Sequence, residues 1–215
     1  MTHLEEIQRR IQIAAQKSGR NPNAIRLIAV SKGQPLSKIM EAVRYGQTDF
    51  GENYAQEMLE KAENLKNEKL IWHFIGHLQT NKVGKIIDEM EWLHSLDSLR
   101  LAEAVQKKRT APLQCLLEIN LAGEKTKTGL LKSKASELIP KLAAFSNIDL
   151  KGLMTLSPCS HFHELVLFLR EINEQRLYPK PLTELSMGMS GDFETAVEKG
   201  ATMVRIGEAL FGKRT

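Results

Sequence analysis

The chain has 215 residues, 42% hydrophobic and 26% charged, with a net charge of +4 and a pI near 9.0. That length fits one domain or two small ones, and the composition is that of an ordinary globular protein. No apolar run approaches the ~18 residues of a membrane span, two cysteines are too few for a disulfide framework, and the basic charges lack the aromatic-interleaved blocks of a nucleic-acid binder.

In chain order, the opening segment reads as a charged amphipathic helix over 4–17, without the continuous apolar stretch of a signal peptide, so a cytoplasmic address is expected. Strands are predicted at 25–31, 48–51, 71–76, 92–95, 113–120, 150–154, 184–186 and 203–206. Between them, "LSKIMEAVRYG", "YAQEMLEKAENL", "SLRLAEAVQKK" and "ELIPKLAAFS" carry apolar residues at helical spacing, with turn glycines and prolines at the joins. Eight strand–helix repeats of about 24 residues match the ~200-residue lower limit of a (β/α)8 barrel. The alternative, an open doubly wound sheet, usually has fewer strands. One domain spanning 1–215 is the expectation.

Barrel sites form at the carboxyl ends of strands, so the residues ending each predicted strand nominate the chemistry. They are Lys32, Asn53, His77, Ser95, Asn120, Met154, the stretch 186–190, and Arg205 with Gly207. Lys32 follows the apolar run "IRLIAVS"; burial there disfavours the ammonium, and a neutral amine is what Schiff-base formation needs. The bland alternative is a lysine snorkelling at a strand end. In "SMGMSGDFETAVEKG", Ser190 is expected to cap a helix starting near Gly191. Gly207 and Glu208 of "RIGEALFG" offer a second amide-rich turn. Paired turns after the last two strands are where barrels commonly hold phosphate. Arg205, inside an apolar strand, needs a partner: a barrel carboxylate, or a ligand ring or phosphate.

Other constellations are weaker. His73 and His77 on one strand would stand about 13 Å apart, too far to share a metal ion. "CSHFH" has no second ligand cluster, so no metal site is expected. Asp97 reads as a helix cap.

The segments "AVSK", "DFGENYAQE", "WHFIGHLQTNK", "SLDSLRLAEA", "GLMT" and "LSMGMSGDFETAVEKGATMVRIGEALFG" together resemble the pyridoxal-phosphate homeostasis protein family, over residues 25–211 and in order. The resemblance implies a fold-type III barrel, like the amino-terminal domain of alanine racemase, with pyridoxal 5′-phosphate as cofactor. By it, Lys32 would be the Schiff-base lysine, and Ser190 with the amides of Gly207 and Glu208 would hold the phosphate. Arg205 would face the pyridine nitrogen, and Asn53 and His77 would line the ring. The chain departs from the usual pattern at "SKGQP", where family members often read "SKTKP", and in a shorter stretch after "GLMT".

The implied function is to bind pyridoxal phosphate and pass it on, possible receivers being apoenzymes that need it, with no catalytic residue and no membrane or nucleic-acid partner. An arginine opposite the ring nitrogen disfavours a protonated ring, and racemisation needs acid–base groups on both faces of the substrate carbon. An amino-acid racemase is the second reading and a lysine-based aldolase acting on a sugar phosphate the third. A monomer is expected, since no helix shows a strongly apolar exposed face.

Overall fold

The computed structural model describes residues 2–124 and 127–212. Eight parallel strands pair in chain order and close into a barrel. They are β1 (Arg26–Val30), β2 (Asp49–Glu52), β3 (Ile71–Phe74), β4 (Trp92–Leu96), β5 (Leu113–Glu118), β6 (Ile148–Met154), β7 (Glu184–Ser186) and β8 (Met203–Ile206). The α-helices are α1 (His3–Lys17), α2 (Leu36–Arg44), α3 (Ala55–Asn64), α4 (Val83–Ile86), α5 (Leu99–Lys108), α6 (Lys132–Leu142), α7 (Phe162–Glu174), α8 (Phe193–Lys199) and α9 (Glu208–Phe211). A helical crossover separates each strand from the next, as parallel pairing requires.

The expected barrel, strand count and leading helix are all present, and β7 and β8 have the predicted limits. The other boundaries move for local reasons. β1 stops at Val30 because Ser31 to Gln34 form a turn, closed by the Gln34 amide donating to the Ser31 carbonyl at 3.0 Å. Gly33 sits in that turn at φ 67°, a backbone state that glycine adopts without strain. β3 ends at Phe74 rather than at residue 76, since the chain there packs directly on the backbone of Asn53. β5 ends at Glu118, beyond which the Asn120 amide bonds the Leu130 carbonyl. β6 starts two residues early, at Ile148. α1 begins at His3, with Thr2 and Glu5 forming a reciprocal capping box. Pro140 lies inside the last turn of α6.

Successive strand residues face opposite sides, and this separates two cores. Leu27, Ala29, Phe50, Trp72, Phe74 and Leu93 belong to the large apolar layer between strands and helices. Ile28, Trp92, Leu116, Met154 and Met203 form a second, smaller cluster inside the barrel. The inward set also contains polar groups: His73, His94, Ser186 and Arg205 are all buried. α1 packs on α8 and α9 and is pinned by Arg10 to Glu194 at 2.6 Å.

Candidate functional site

The carboxyl mouth is assembled mainly by adjacent strands β7, β8, β1, β2 and β3. Val30 pairs with Gly51, and the Ser31 amide continues the ladder to the Gly51 carbonyl at 3.0 Å. On the other side Ala29 pairs with Ile206, and a Cβ on Gly207 would lie 3.2 Å from the Val30 oxygen. Lys32 therefore stands between the Gly207 turn and the segment after β2. It is half-buried, in the turn that follows β1.

A buried ionic cluster behind Lys32 fixes its backbone. The Lys61 ammonium of α3 donates to the Ser31 carbonyl at 2.7 Å, to Glu52 Oε1 at 2.7 Å and to Glu57 Oε2 at 2.9 Å. Glu57 Oε2 also accepts the Gly33 amide at 2.8 Å, and the Ser31 hydroxyl donates to Glu52 Oε1 at 2.6 Å. Both neighbours of Lys32 are thus tied to one pair of α3 side chains. Burial raises the Glu52 pKa although Lys61 and Ser31 work against it. None of these groups stood out in the sequence. The only signal was a carboxylate beside the glycine that ends "DFG", facing a helix with a lysine nine residues on.

Asn53, just past β2, has a buried side-chain oxygen with no hydrogen-bond partner among the described residues. Gly76 lies against the Asn53 carbonyl and Cα with no room for a Cβ. Gly76→Ala is expected to destabilise the fold by about 1–3 kcal/mol through overpacking and to displace Asn53, measured by urea unfolding. His77 is half-exposed on the rim and meets Asp97 at 3.3 Å. Asp97 is therefore not the cap of α5; that role falls to Ser98, whose hydroxyl accepts from the Leu101 amide.

Ser190 also departs from its expected part. α8 begins at Phe193, not near Gly191, and Ser190 Oγ instead accepts the Ala209 amide at 3.3 Å. The turn after β7 is thereby joined to the start of α9, where Gly207 and Glu208 follow β8. Asp192 closes the first of these turns by accepting from the Met189 amide at 2.7 Å.

Arg205 is buried to 3% exposure and makes no ion pair among the described residues. Its Nη1 donates to Ser186 Oγ at 2.7 Å and its Nη2 to the Thr155 carbonyl at 2.8 Å. Burial pulls its pKa down to about 10, while Glu118 and Asp192 act in the opposite sense. It stays protonated at neutral pH. Glu118, at the inner end of β5, accepts from the Thr128 hydroxyl at 2.6 Å, and burial raises its pKa.

Known proteins share this arrangement over nearly its whole length. A pyridoxal phosphate homeostasis protein of Aquifex aeolicus is 42% identical over 220 residues, covering 98% of this chain and 96% of its own. The alanine racemase amino-terminal domain family matches residues 2–215. The chain belongs to the pyridoxal phosphate homeostasis protein family. PipY of Synechococcus elongatus, solved with PLP bound, superposes with a TM-score of 0.81 at 33% identity, over 94% of this chain and 100% of its own. Alanine racemase of Corynebacterium glutamicum has a TM-score of 0.74 at 18% identity, over 98% of this chain but 62% of its own. That last likeness is one of fold. Relatives bearing the homeostasis name are not named as enzymes, whereas the more distant barrels include racemases.

Proposed function

We propose that the chain binds pyridoxal 5′-phosphate at the carboxyl mouth of its barrel and holds it for delivery, rather than turning over substrates with it. One juxtaposition carries this reading. Lys32 lies in the turn after β1, between the glycine turn after β8 and the segment of Asn53, whose buried side-chain oxygen has no partner among the described residues. An orphaned acceptor in a polar mouth fits a ligand that brings a hydrogen-bond donor. When bound, the group supplies an aldehyde that condenses reversibly with amines.

Lys32 is the covalent anchor in this account. Ser190 and the amides of Gly207 and Glu208 hold the phosphate, and the hydrogen bond from Ala209 to Ser190 keeps the two turns together. Arg205 faces the ring nitrogen as a fixed cation; Asn53 and His77 line the ring. No residue is assigned a catalytic or metal-binding part.

Holding is favoured over racemisation by what flanks the mouth. A guanidinium opposite the ring nitrogen would disfavour a protonated ring and so weaken, without abolishing, the electron sink that racemisation draws on. Proton exchange on both faces of a substrate carbon also needs a second acid–base group opposite Lys32. Tyr54 is the one tyrosine at the mouth, and it is 59% exposed. Tyr45 ends α2, and Tyr178 lies beside the start of β6 with its hydroxyl 3.4 Å from the Leu150 amide, both at the far end of the barrel. The receivers are apoenzymes that need the cofactor. The same reading takes the chain as one barrel domain, monomeric and cytoplasmic; no helix among the described residues is long and apolar enough to cross a membrane.

The loaded protein is expected to transfer its cofactor to an apoenzyme while leaving the chirality of common amino acids unchanged. Racemisation at about 1 per second or faster would overturn the carrier reading. Arg205→Ala should weaken binding about tenfold, and Ser190→Ala, which removes a neutral contact, about threefold. Titration by fluorescence checks both; unchanged affinity in the two variants would remove the phosphate and ring assignments.

A further inference from the structure

An unbroken chain of hydrogen bonds crosses the inside of the barrel from Asp49 to Arg205. Asp49 Oδ1 lies 3.0 Å from His73 Nε2, His73 Nδ1 lies 2.9 Å from His94 Nε2, and His94 Nδ1 lies 3.0 Å from Ser186 Oγ. Ser186 Oγ in turn accepts Arg205 Nη1 at 2.7 Å. Strand parity explains the alignment, since every member faces inward from β2, β3, β4, β7 or β8.

The protons of this chain admit one consistent arrangement. An ionised Asp49 only accepts, so His73 must carry its proton on Nε2. A neutral His73 then accepts at Nδ1, which requires the His94 proton on Nε2. His94 accepts at Nδ1, so the Ser186 hydroxyl points its hydrogen there and turns lone-pair density toward the guanidinium. Arg205, which only donates, closes the series from the other end without conflict. Burial lowers the pKa of His73 and takes that of His94 well below the usual imidazole value, so both rings are neutral. Burial by itself would raise the Asp49 pKa, but His73, Thr48 and Arg26 together hold it below the ordinary value.

The ends carry opposite charge. Arg26 approaches Asp49 at 3.5 Å and lies over the Trp92 ring, and Asp49 borders a cavity of about 690 Å³ between α1 and the amino end of the barrel. At the other end the charges of Glu118 and Asp192 favour the protonated form of Arg205. Every bond therefore runs from the cation to the anion, the arrangement in which neighbouring hydrogen bonds strengthen one another.

We propose that Asp49, His73, His94 and Ser186 are positioning residues that hold Arg205 as an oriented hydrogen-bond donor to the ring nitrogen of bound pyridoxal phosphate. This rests on the placement of Arg205 in the proposed function. Among the described residues two of the five guanidinium N–H groups go to Ser186 and Thr155, and the proposal assigns a ligand bond to the remainder. Without His94 the Ser186 hydroxyl is free to rotate its hydrogen toward the cation, and Arg205 loses one of its two fixed partners.

The test compares pyridoxal phosphate with its 1-deaza analogue, in which a C–H replaces the ring nitrogen. His94→Phe should weaken the natural ligand about fivefold, less than the loss of Arg205 itself, and the analogue less than twofold, with His94→Gln restoring most of the loss. An equal loss for both ligands would mark His94 as merely structural, and no loss for the natural ligand would end the proposal. A parent protein that binds neither ligand overturns the cofactor reading, and the relay with it. Should His94→Phe not fold, ¹⁵N spectra of the parent still decide. Both buried imidazoles should be neutral with the proton on Nε2, and a proton on Nδ1 of either contradicts the chain.

Discussion

Lys32→Ala is expected to lower affinity for pyridoxal phosphate more than about a hundredfold, because it removes the one covalent link and leaves only the phosphate and ring contacts. A neighbouring lysine often rescues such a variant. Here Lys61, which reaches the carbonyl of the adjoining Ser31, already donates to Ser31, Glu52 and Glu57 from a position 7% exposed. Releasing it for chemistry would strand a buried carboxylate. Fluorescence titration, together with retention of the cofactor through gel filtration, checks the result. Lys32→Ala protein that keeps its cofactor through the column would show that another amine is the anchor.

The second large effect is on stability. Lys61→Met removes the partner of Glu52, which has no solvent exposure, and should cost about 3–5 kcal/mol. For a chain of this size that is a fall in Tm of roughly 6–20 °C. Pairing it with Glu52→Gln should recover more than half, since the loss comes from an isolated charge rather than from missing volume. The pH dependence has a defined sign. Burial raises the Glu52 pKa above its ordinary 4.5, so the folded state holds this proton more tightly than the unfolded chain. Stability is lost as pH rises from that ordinary value through the raised one. The Lys61→Met deficit should therefore shrink toward pH 4.5 and be largest near neutrality. A deficit independent of pH would mean that packing, not charge, is what Lys61 supplies.

These two lysines illustrate what the sequence displays and what it conceals. Lys32 was legible because a strand of apolar residues ends there, and barrel geometry makes strand ends functional. Arg205 was legible for a related reason, a lone cation within "MVRIG". Its partners were not, since a hydroxyl on β7 and a carbonyl after β6 come together only when the barrel closes. Lys61 was concealed by its setting. In "YAQEMLEKAENL" it looks like any charged residue on a helix, and only the fold turns it toward Glu52.

The histidines teach the same lesson. His73 was weighed as a metal ligand with His77, but one points into the barrel and the other lies on the rim. What joins His73 to its real partner, His94, is the pairing of β3 with β4, which brings side chains 21 positions apart within 2.9 Å. Polar residues at inward positions of apolar strands were the available signal, and strand parity would have grouped them. The misplaced cap at Asp97 and the late start of α8 are smaller errors of one kind. In each, a side chain fit for capping was used elsewhere, Asp97 by His77 and Ser190 by the turn after β8.

Covalent trapping tests the central claim most directly. Loaded protein would be reduced with borohydride, digested, and its modified peptide sequenced by mass spectrometry. The account predicts one phosphopyridoxyl group per chain, on Lys32 in the peptide that joins β1 to α2. Label spread over surface lysines, or fixed on Lys61, would contradict it.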